Sequence, residues 1–264
     1  MISKETLKKI ANSLRALAID ATQAANSGHP GLPLGCADIM AVLYAESLEH
    51  YPKEAGWFCR DRFVLSAGHG SMLLYGALHL SGFDVSMQHL KDFRQLGSPT
   101  AGHPEYGHLD GVECTTGPLG QGLGMAVGIA LSQQMFKARF DSEGDGLFDC
   151  QTYCLVGDGD LMEGVASEAA SLAGHLALSN LVLIYDSNDI CLDGETKECF
   201  TENVSDRFKA YNWDVLDCDG HCFDSIRACL KQAKQNQEKP TLIVAKTTIG
   251  FGAKAVEGTS AAHG

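Results

Sequence analysis

The sequence predicts an α/β fold, an open and mostly parallel sheet with helices on both faces, with residues 1–264 forming one domain. Two observations point there. Through the second half of the chain, apolar runs of strand length alternate in strict order with helical patterns. Such alternation implies parallel strands joined by right-handed crossovers. A chain of 264 residues with 45% hydrophobic content can also bury the core that such a sheet requires.

Taken in order, residues 4–25 set Leu7, Ile10, Leu14, Leu17, Ala18 and Ala21 at three- and four-residue intervals, the mark of an amphipathic helix that Gly28 and Pro30 stop. A helix over 35–47, a strand over 63–65, and helices over 71–80 and 122–140 follow. The stretch from Gly97 to Gly122 is rich in Gly and Pro, too polar for core and long enough to be a functional loop. In the second half, strands are expected at 152–156, 181–185, 214–216 and 241–245, with helices at 161–176, 205–211 and 223–235. No internal repeat, low-complexity tract or interdomain linker interrupts this order.

Charge and composition exclude several functions. A net charge of −13 with no compensating basic run opposes nucleic acid as a partner. No apolar stretch approaches the roughly 18 residues that cross a bilayer, and the opening MISKETLKKI lacks the apolar core of a signal peptide, so a soluble, cytosolic protein without a membrane partner is expected. None of the ten cysteines lies in a C-x-x-C pair, and Cys36 and Cys154 fall inside apolar patterns. Most are expected to be reduced core residues.

The segment YCLVGDGDLMEG runs an apolar strand into Gly157, Asp158 and Gly159, with a helix expected from about Leu161. Asp158 then stands at the sheet edge, where such folds collect ligands. Glycine permits a sharp turn and close backbone approach, and the first N–H groups of the helix suit a phosphate. One crossover later, LVLIYDSNDI sets Asn188 just beyond a neighbouring strand, so both residues can face one crevice. One carboxylate, one amide oxygen and the main-chain carbonyl of Ile190 would form a reasonable protein share of a magnesium site, the rest being water and phosphate oxygens. The bland alternative is that GDG is a tight turn and Asn188 a cap or turn former.

GDG followed about thirty residues later by asparagine resembles the signature of thiamine-diphosphate enzymes. NSGHPG (Asn26–Gly31), SAGHGS (Ser66–Ser71), GHPE (Gly102–Glu105) and TTGPLGQG (Thr115–Gly122) are similar, in order and spacing, to segments of transketolases. The resemblance covers essentially the whole chain and corresponds to the N-terminal, pyrophosphate-holding part of that family. It implies that Asp158, Asn188 and the Ile190 carbonyl bind magnesium or calcium, and that Gly159, Asn188 and His69 contact the diphosphate. It implies further that Gly117, Pro118 and Leu119 line thiamine diphosphate. His29, His69, His103 and His263 match family histidines around the sugar substrate and the reactive carbon, His263 also lying against the cofactor. Imidazole suits that work because it exchanges protons near neutral pH and hydrogen-bonds hydroxyls without a fixed charge. The remaining histidines, His221 among them, read as surface or packing residues.

The implied reaction moves a two-carbon ketol unit from a ketose phosphate to an aldose phosphate, with the cofactor as electron sink. Family members are much longer, and the pyrimidine-binding domain that supplies their activating glutamate and basic sugar-phosphate groups is not identifiable here. The ending GTSAAHG resembles the middle of the full-length pattern. That implies a fragment or isolated domain, or else one subunit of a split enzyme, with weak catalysis alone and a homodimeric or hetero-oligomeric assembly over an exposed apolar face. Competing readings are a related thiamine enzyme, of dihydroxyacetone synthase or deoxyxylulose phosphate synthase type, and a non-catalytic diphosphate-binding or assembly module. A nicotinamide-binding reading fails for want of G-x-G-x-x-G after the first strand, and an EF-hand reading because DSNDICLDG lacks its ligand order.

Overall fold

A computed structural model describes every residue except Ser142, Asp145 and Asp193. Helix α1 (Lys4–Ala25) starts where the Ser3 hydroxyl accepts from the Thr6 N–H, and ends at Asn26, left-handed at φ 49°. Its spacing turns Leu7, Ala11, Leu14, Ala18 and Ala21 inward. Helix α2 (Gly31–Val42) begins four residues before the expected start at Gly35 and continues as a π-helical turn over Leu43–Ser47. Pro33 does not delay it, because N–H groups in a first turn have no intrahelical acceptor to lose.

Strand β1 (Arg62–Leu65) and helix α3 (Ser71–Leu80) agree with the sequence reading. Helix α4 (Met87–Lys91) was not expected; at five residues it is too short for periodicity to register, and the Ser86 hydroxyl caps it. Residues 92–120 hold no regular element, after which α5 (Gln121–Phe140) begins.

Strand β2 (Thr152–Gly157) passes directly into α6 (Asp158–Met162), and the chain is extended at Glu163 before α7 (Gly164–His175). The single helix expected over 161–176 is therefore two. The Asp160 carboxylate anchors the first of them, accepting from the Gly157 and Gly120 N–H groups and the Ser66 hydroxyl. Strand β3 (Leu181–Ser187) is followed by an unexpected small hairpin, β4 (Ile190–Cys191) with β5 (Gly194–Glu195). Helix α8 (Val204–Ala210), strand β6 (Asp214–Asp219), helix α9 (Phe223–Gln235) and strand β7 (Thr241–Lys246) complete the order.

The five long strands form one sheet in the order β1-β2-β3-β7-β6, every pair parallel. Alternation along the strands divides the core. Tyr153, Leu155, Val182, Ile184 and Ile243 pack with α1, α2, α3 and α9 on one face, while Cys154, Val156, Leu181, Leu183 and Leu242 pack with α5, α7 and α8 on the other. All ten cysteines are free, and five of them are buried. His221 is a packing residue as expected: its Nε2 accepts from the Thr248 N–H at 3.0 Å, which leaves Nδ1 to donate to Asp38 at 3.1 Å. No helix among the described residues is long and apolar enough to cross a membrane.

Candidate functional site

The register that sets Gly157 opposite Asp186 brings the ends of β2 and β3 side by side, so Asp158 and Asn188 emerge at the same edge. They share one cavity of about 210 Å³ with His29, His69, Gly117, Leu119, Gly159, Ile190 and His263. Nine of the eleven residues singled out in the sequence thus line a single space. The other two lie beside it. His103 sits behind the loop, where a Cβ on Gly117 would meet its ring at 3.3 Å, and Pro118 is exposed between Gly117 and Leu119.

The acidic wall is short of positive charge. Asp158 is buried, with one oxygen accepting from the Tyr185 hydroxyl and the other, Oδ2, buried without a partner. Burial raises its carboxyl to about 6, the Tyr185 hydrogen bond opposes the rise, and the charges of Asp186 and Asp189 add to it. Asn188 is held at both ends: its Nδ2 donates to Asp186 at 2.9 Å and its Oδ1 accepts from the Ile190 N–H at 3.0 Å. An amide oxygen keeps a second lone pair for another partner. Asp186 is in turn fixed by the Thr247 hydroxyl.

The histidine wall is assembled from four separate segments. Ring centroids of His29 and His69 are 5.3 Å apart, those of His29 and His263 5.5 Å, those of His69 and His263 5.2 Å, and those of His29 and His103 6.2 Å. Close backbone approach makes this possible. A Cβ on Gly31 would lie 2.4 Å from the Ala262 carbonyl oxygen, so only glycine admits the turn that delivers His263. Likewise a Cβ on Gly122 would lie 2.5 Å from the Ser66 Cα, so glycine lets α5 start against the turn bearing His69. Burial lowers His69 to about 3, with His263, His29 and His103 contributing repulsion, and lowers His29 to about 4, with His263, Arg94 and His103 contributing. His103 is lowered too, by burial and then by Arg94. Near neutral pH these three rings are uncharged, able to donate from one nitrogen and accept at the other.

Sequence reasoning missed four residues that organise or border this site. Asp160 joins the turns around Gly157, Gly120 and Ser66, and its spacing of three from Gly157 is that of a capping box, a signal available in the sequence. Tyr185 reads from the sequence only as the last residue of a strand, and Asp186 falls just beyond that expected strand, although β3 runs on to Ser187. Arg94 carries no motif at all, yet its guanidinium donates to the Ser27 hydroxyl at 2.8 Å and lies 3.4 Å from His29 Nδ1, while its Nε is buried without a partner.

The parallel sheet, the acidic strand ends with their glycine turn and the uncharged histidine wall define a diphosphate-binding α/β domain of the thiamine-enzyme class. The family described as "Transketolase, thiamine diphosphate binding domain" matches residues 6–264. The chain belongs to that family. It is 56% identical over 253 residues to a transketolase of Geobacillus stearothermophilus, covering 96% of this chain and 38% of the relative. A solved Campylobacter jejuni transketolase superposes with a TM-score of 0.95 at 50% identity, covering 99% of this chain and 40% of that one. A Pichia stipitis transketolase in complex with sedoheptulose 7-phosphate gives 0.95 at 48% identity, covering 97% of this chain and 38% of that one. This chain spans about two fifths of the length of the relatives it matches.

Proposed function

We propose that this chain holds thiamine diphosphate through a magnesium ion, which calcium can replace, and supplies half of a site that transfers two-carbon ketol units between sugar phosphates. The observation that carries the reading is the partnerless, buried Oδ2 of Asp158 in the cavity shared with Asn188 and Ile190. A cation there offsets the buried carboxylate's lost hydration, and the residues fit a hard divalent ion because all three donors are oxygens. Asp158, the Asn188 amide oxygen and the Ile190 main-chain carbonyl hold the ion. Gly159, Asn188 and His69 contact the diphosphate, and Gly117, Pro118, Leu119 and His263 border the thiamine. Thiamine diphosphate, when bound, supplies the carbon nucleophile and the electron sink.

This chain's own residues then bind and move protons. His29, His69, His103 and His263, uncharged at rest in the three cases where burial lowers them, hydrogen-bond sugar hydroxyls and relay protons to a developing alkoxide. Sugar phosphates are the substrate class, in keeping with the sedoheptulose 7-phosphate bound by the Pichia stipitis enzyme. The second half of the site belongs to a pyrimidine-binding region outside this chain. Assembly, as a homodimer or hetero-oligomer, finds support in the exposed Trp57, Phe58, Phe136 and Phe140, which cluster around Phe148.

Isothermal titration of the purified chain with thiamine diphosphate tests the reading. Binding is expected with magnesium or calcium and not with EDTA; no binding in either metal overturns it. In a ketol-transfer assay the chain alone should give at most trace turnover, and full turnover without added polypeptide would contradict the need for a second domain.

A further inference from the structure

The Arg94 guanidinium bridges two of the turns that build the histidine wall. Its Nη1 donates to the Ser27 hydroxyl at 2.8 Å and its Nη2 meets His29 Nδ1 at 3.4 Å. It also lies against Gly102, the residue before His103, where a Cβ would come within 2.9 Å of Nε and 3.0 Å of Cζ. The backbone is held in a costly conformation to allow this. Its φ is 62°, left-handed for a residue with a long side chain, and its N–H is fixed by the Thr100 carbonyl at 3.0 Å. Arg94 borders a second, open cleft of about 850 Å³ with Ser27, Gly102, Glu105 and His108, and so approaches the His29 ring from outside the cavity that His29 lines.

Guanidinium chemistry makes the contact with His29 one-directional. Every polar hydrogen of the group is a donor, it has no acceptor, and it keeps its charge throughout the pH range in which proteins stay folded. A ring nitrogen facing it must therefore present a lone pair, because an N–H there would set two donors and a fixed positive charge against each other. His29 is neutral near pH 7, since burial, then His263, and then Arg94 itself lower it to about 4. A neutral imidazole carries one proton, so a ring with Nδ1 bare holds that proton on Nε2.

We infer that Arg94 is a positioning residue that fixes His29 in the Nε2-protonated tautomer, so that this ring meets the sugar as a hydrogen-bond donor and not as a proton acceptor. The part concerning the sugar rests on the proposed function; the tautomer rests on the contacts of Arg94. His29 has all three other rings of the wall around it, at 5.3, 5.5 and 6.2 Å between centroids, so its tautomer sets the donor pattern at the middle of the wall. Its Cδ2 edge is closed as well, since a Cβ on Gly264 would lie 2.9 Å from that atom. With Nδ1 at the guanidinium and Cδ2 against the chain, the ring offers the tip that bears Nε2–H. A carbonyl or developing alkoxide oxygen is matched there, and uptake of a substrate proton falls to the other three histidines.

The test reads the tautomer directly. The whole chain is prepared with isotopically labelled histidine, and its ring nitrogens are observed by long-range proton–nitrogen correlation at about pH 8, above the ordinary histidine pKa. His29 is assigned by the loss of its signals in His29→Gln. In the parent, His29 should show a bare Nδ1 and a protonated Nε2. His221 should show the reverse, because its Nε2 accepts from the Thr248 N–H, and it serves as the control. Arg94→Met should let His29 exchange between tautomers, its two nitrogen resonances moving toward each other while those of His221 stay in place. Arg94→Lys, whose ammonium can only donate, should restore the parent pattern. A parent His29 protonated at Nδ1 or averaged between tautomers, an unchanged pattern in Arg94→Met, or an equal change at His221 would each overturn the inference. No cofactor, metal or turnover enters the measurement, so a chain that failed to bind thiamine diphosphate would sink the ketol-transfer reading while the spectra still decided the tautomer.

Discussion

One wall of the cavity comes from two adjacent strand ends, Asp158 after β2 and Asn188 after β3; the other comes from segments as distant in sequence as His29 and His263. The first wall holds acid in excess. The Asp158 carboxyl is pushed up to about 6 by burial and has an oxygen with no donor. The second wall holds imidazoles from which burial has removed the charge, with His69 lowered to about 3. An acidic wall attracts a cation and, through it, a diphosphate, whereas an uncharged, hydrogen-bonding wall suits hydroxyl groups and proton exchange. The contrast gives the two halves of the proposed cofactor-and-sugar site two kinds of construction, one set by strand register and the other by close packing of turns.

The largest effect is expected where the contrast is most electrostatic. Asp158→Asn keeps the shape of the side chain and its neighbour Tyr185 but removes the charge facing the proposed ion. Magnesium-dependent affinity for thiamine diphosphate should drop by more than roughly 100-fold, beyond what displacing an indirect partner costs, while circular dichroism stays that of the parent. Affinity within a few-fold of the parent would remove the acidic wall from the cofactor site.

Next comes the residue that fastens the two walls together. Asp160 is fully buried and accepts from the Gly157 N–H at 3.0 Å, the Gly120 N–H at 2.8 Å and the Ser66 hydroxyl at 2.7 Å. Asp160→Ala leaves those donors unpaired in a dry interior, so urea denaturation should show a loss of about 3 kcal/mol or more. A change below about 1 kcal/mol would mean that the loops are held by other contacts.

These two carboxylates also mark how far the sequence could be read. Asp158 was legible because an apolar strand, a glycine turn and a second apolar strand place it without help from the rest of the chain. Asp160 is its near neighbour, but its role depends on Gly120 and Ser66, which reach it only through tertiary packing. The strands themselves were read short at the functional end. Periodicity stopped β3 at Tyr185 and β6 at Leu216, whereas β3 runs to Ser187 and β6 to Asp219, since polar residues at the ligand edge carry no apolar signal. The β4–β5 hairpin and α4 were too short to leave a pattern. The histidine wall was found by its resemblance to family segments, because no local rule brings His29, His69 and His263 together. Arg94 offered neither motif nor periodicity.

Packing of the turns is sharpened by Gly122→Ala. The added methyl would lie 2.5 Å from the Ser66 Cα and 2.7 Å from its Cβ, so either α5 or the turn bearing His69 must retreat. Overpacking of this kind costs about 1–3 kcal/mol. The thermal midpoint should fall, and thiamine diphosphate affinity should fall with it because His69 moves. Loss of stability with affinity unchanged would separate the histidine wall from the cofactor.

The smallest effect tests whether that wall is uncharged. In the folded chain His69 takes a proton only near pH 3, whereas in the unfolded chain it does so near its ordinary value of 6.5. Between those limits the unfolded state binds the extra proton, so the contribution of His69 to stability is whole above about pH 6.5 and shrinks as the pH falls toward 3. His69→Asn removes this group while leaving Asp158 and Asp61, raised to about 6 and acting in the opposite direction, common to both proteins. The unfolding free energy of His69→Asn relative to the parent should therefore rise steadily between pH 6.5 and pH 4 in paired urea titrations. A difference independent of pH would show that the His69 ring is solvated enough to carry charge, and the two walls would then differ in shape but not in electrostatics.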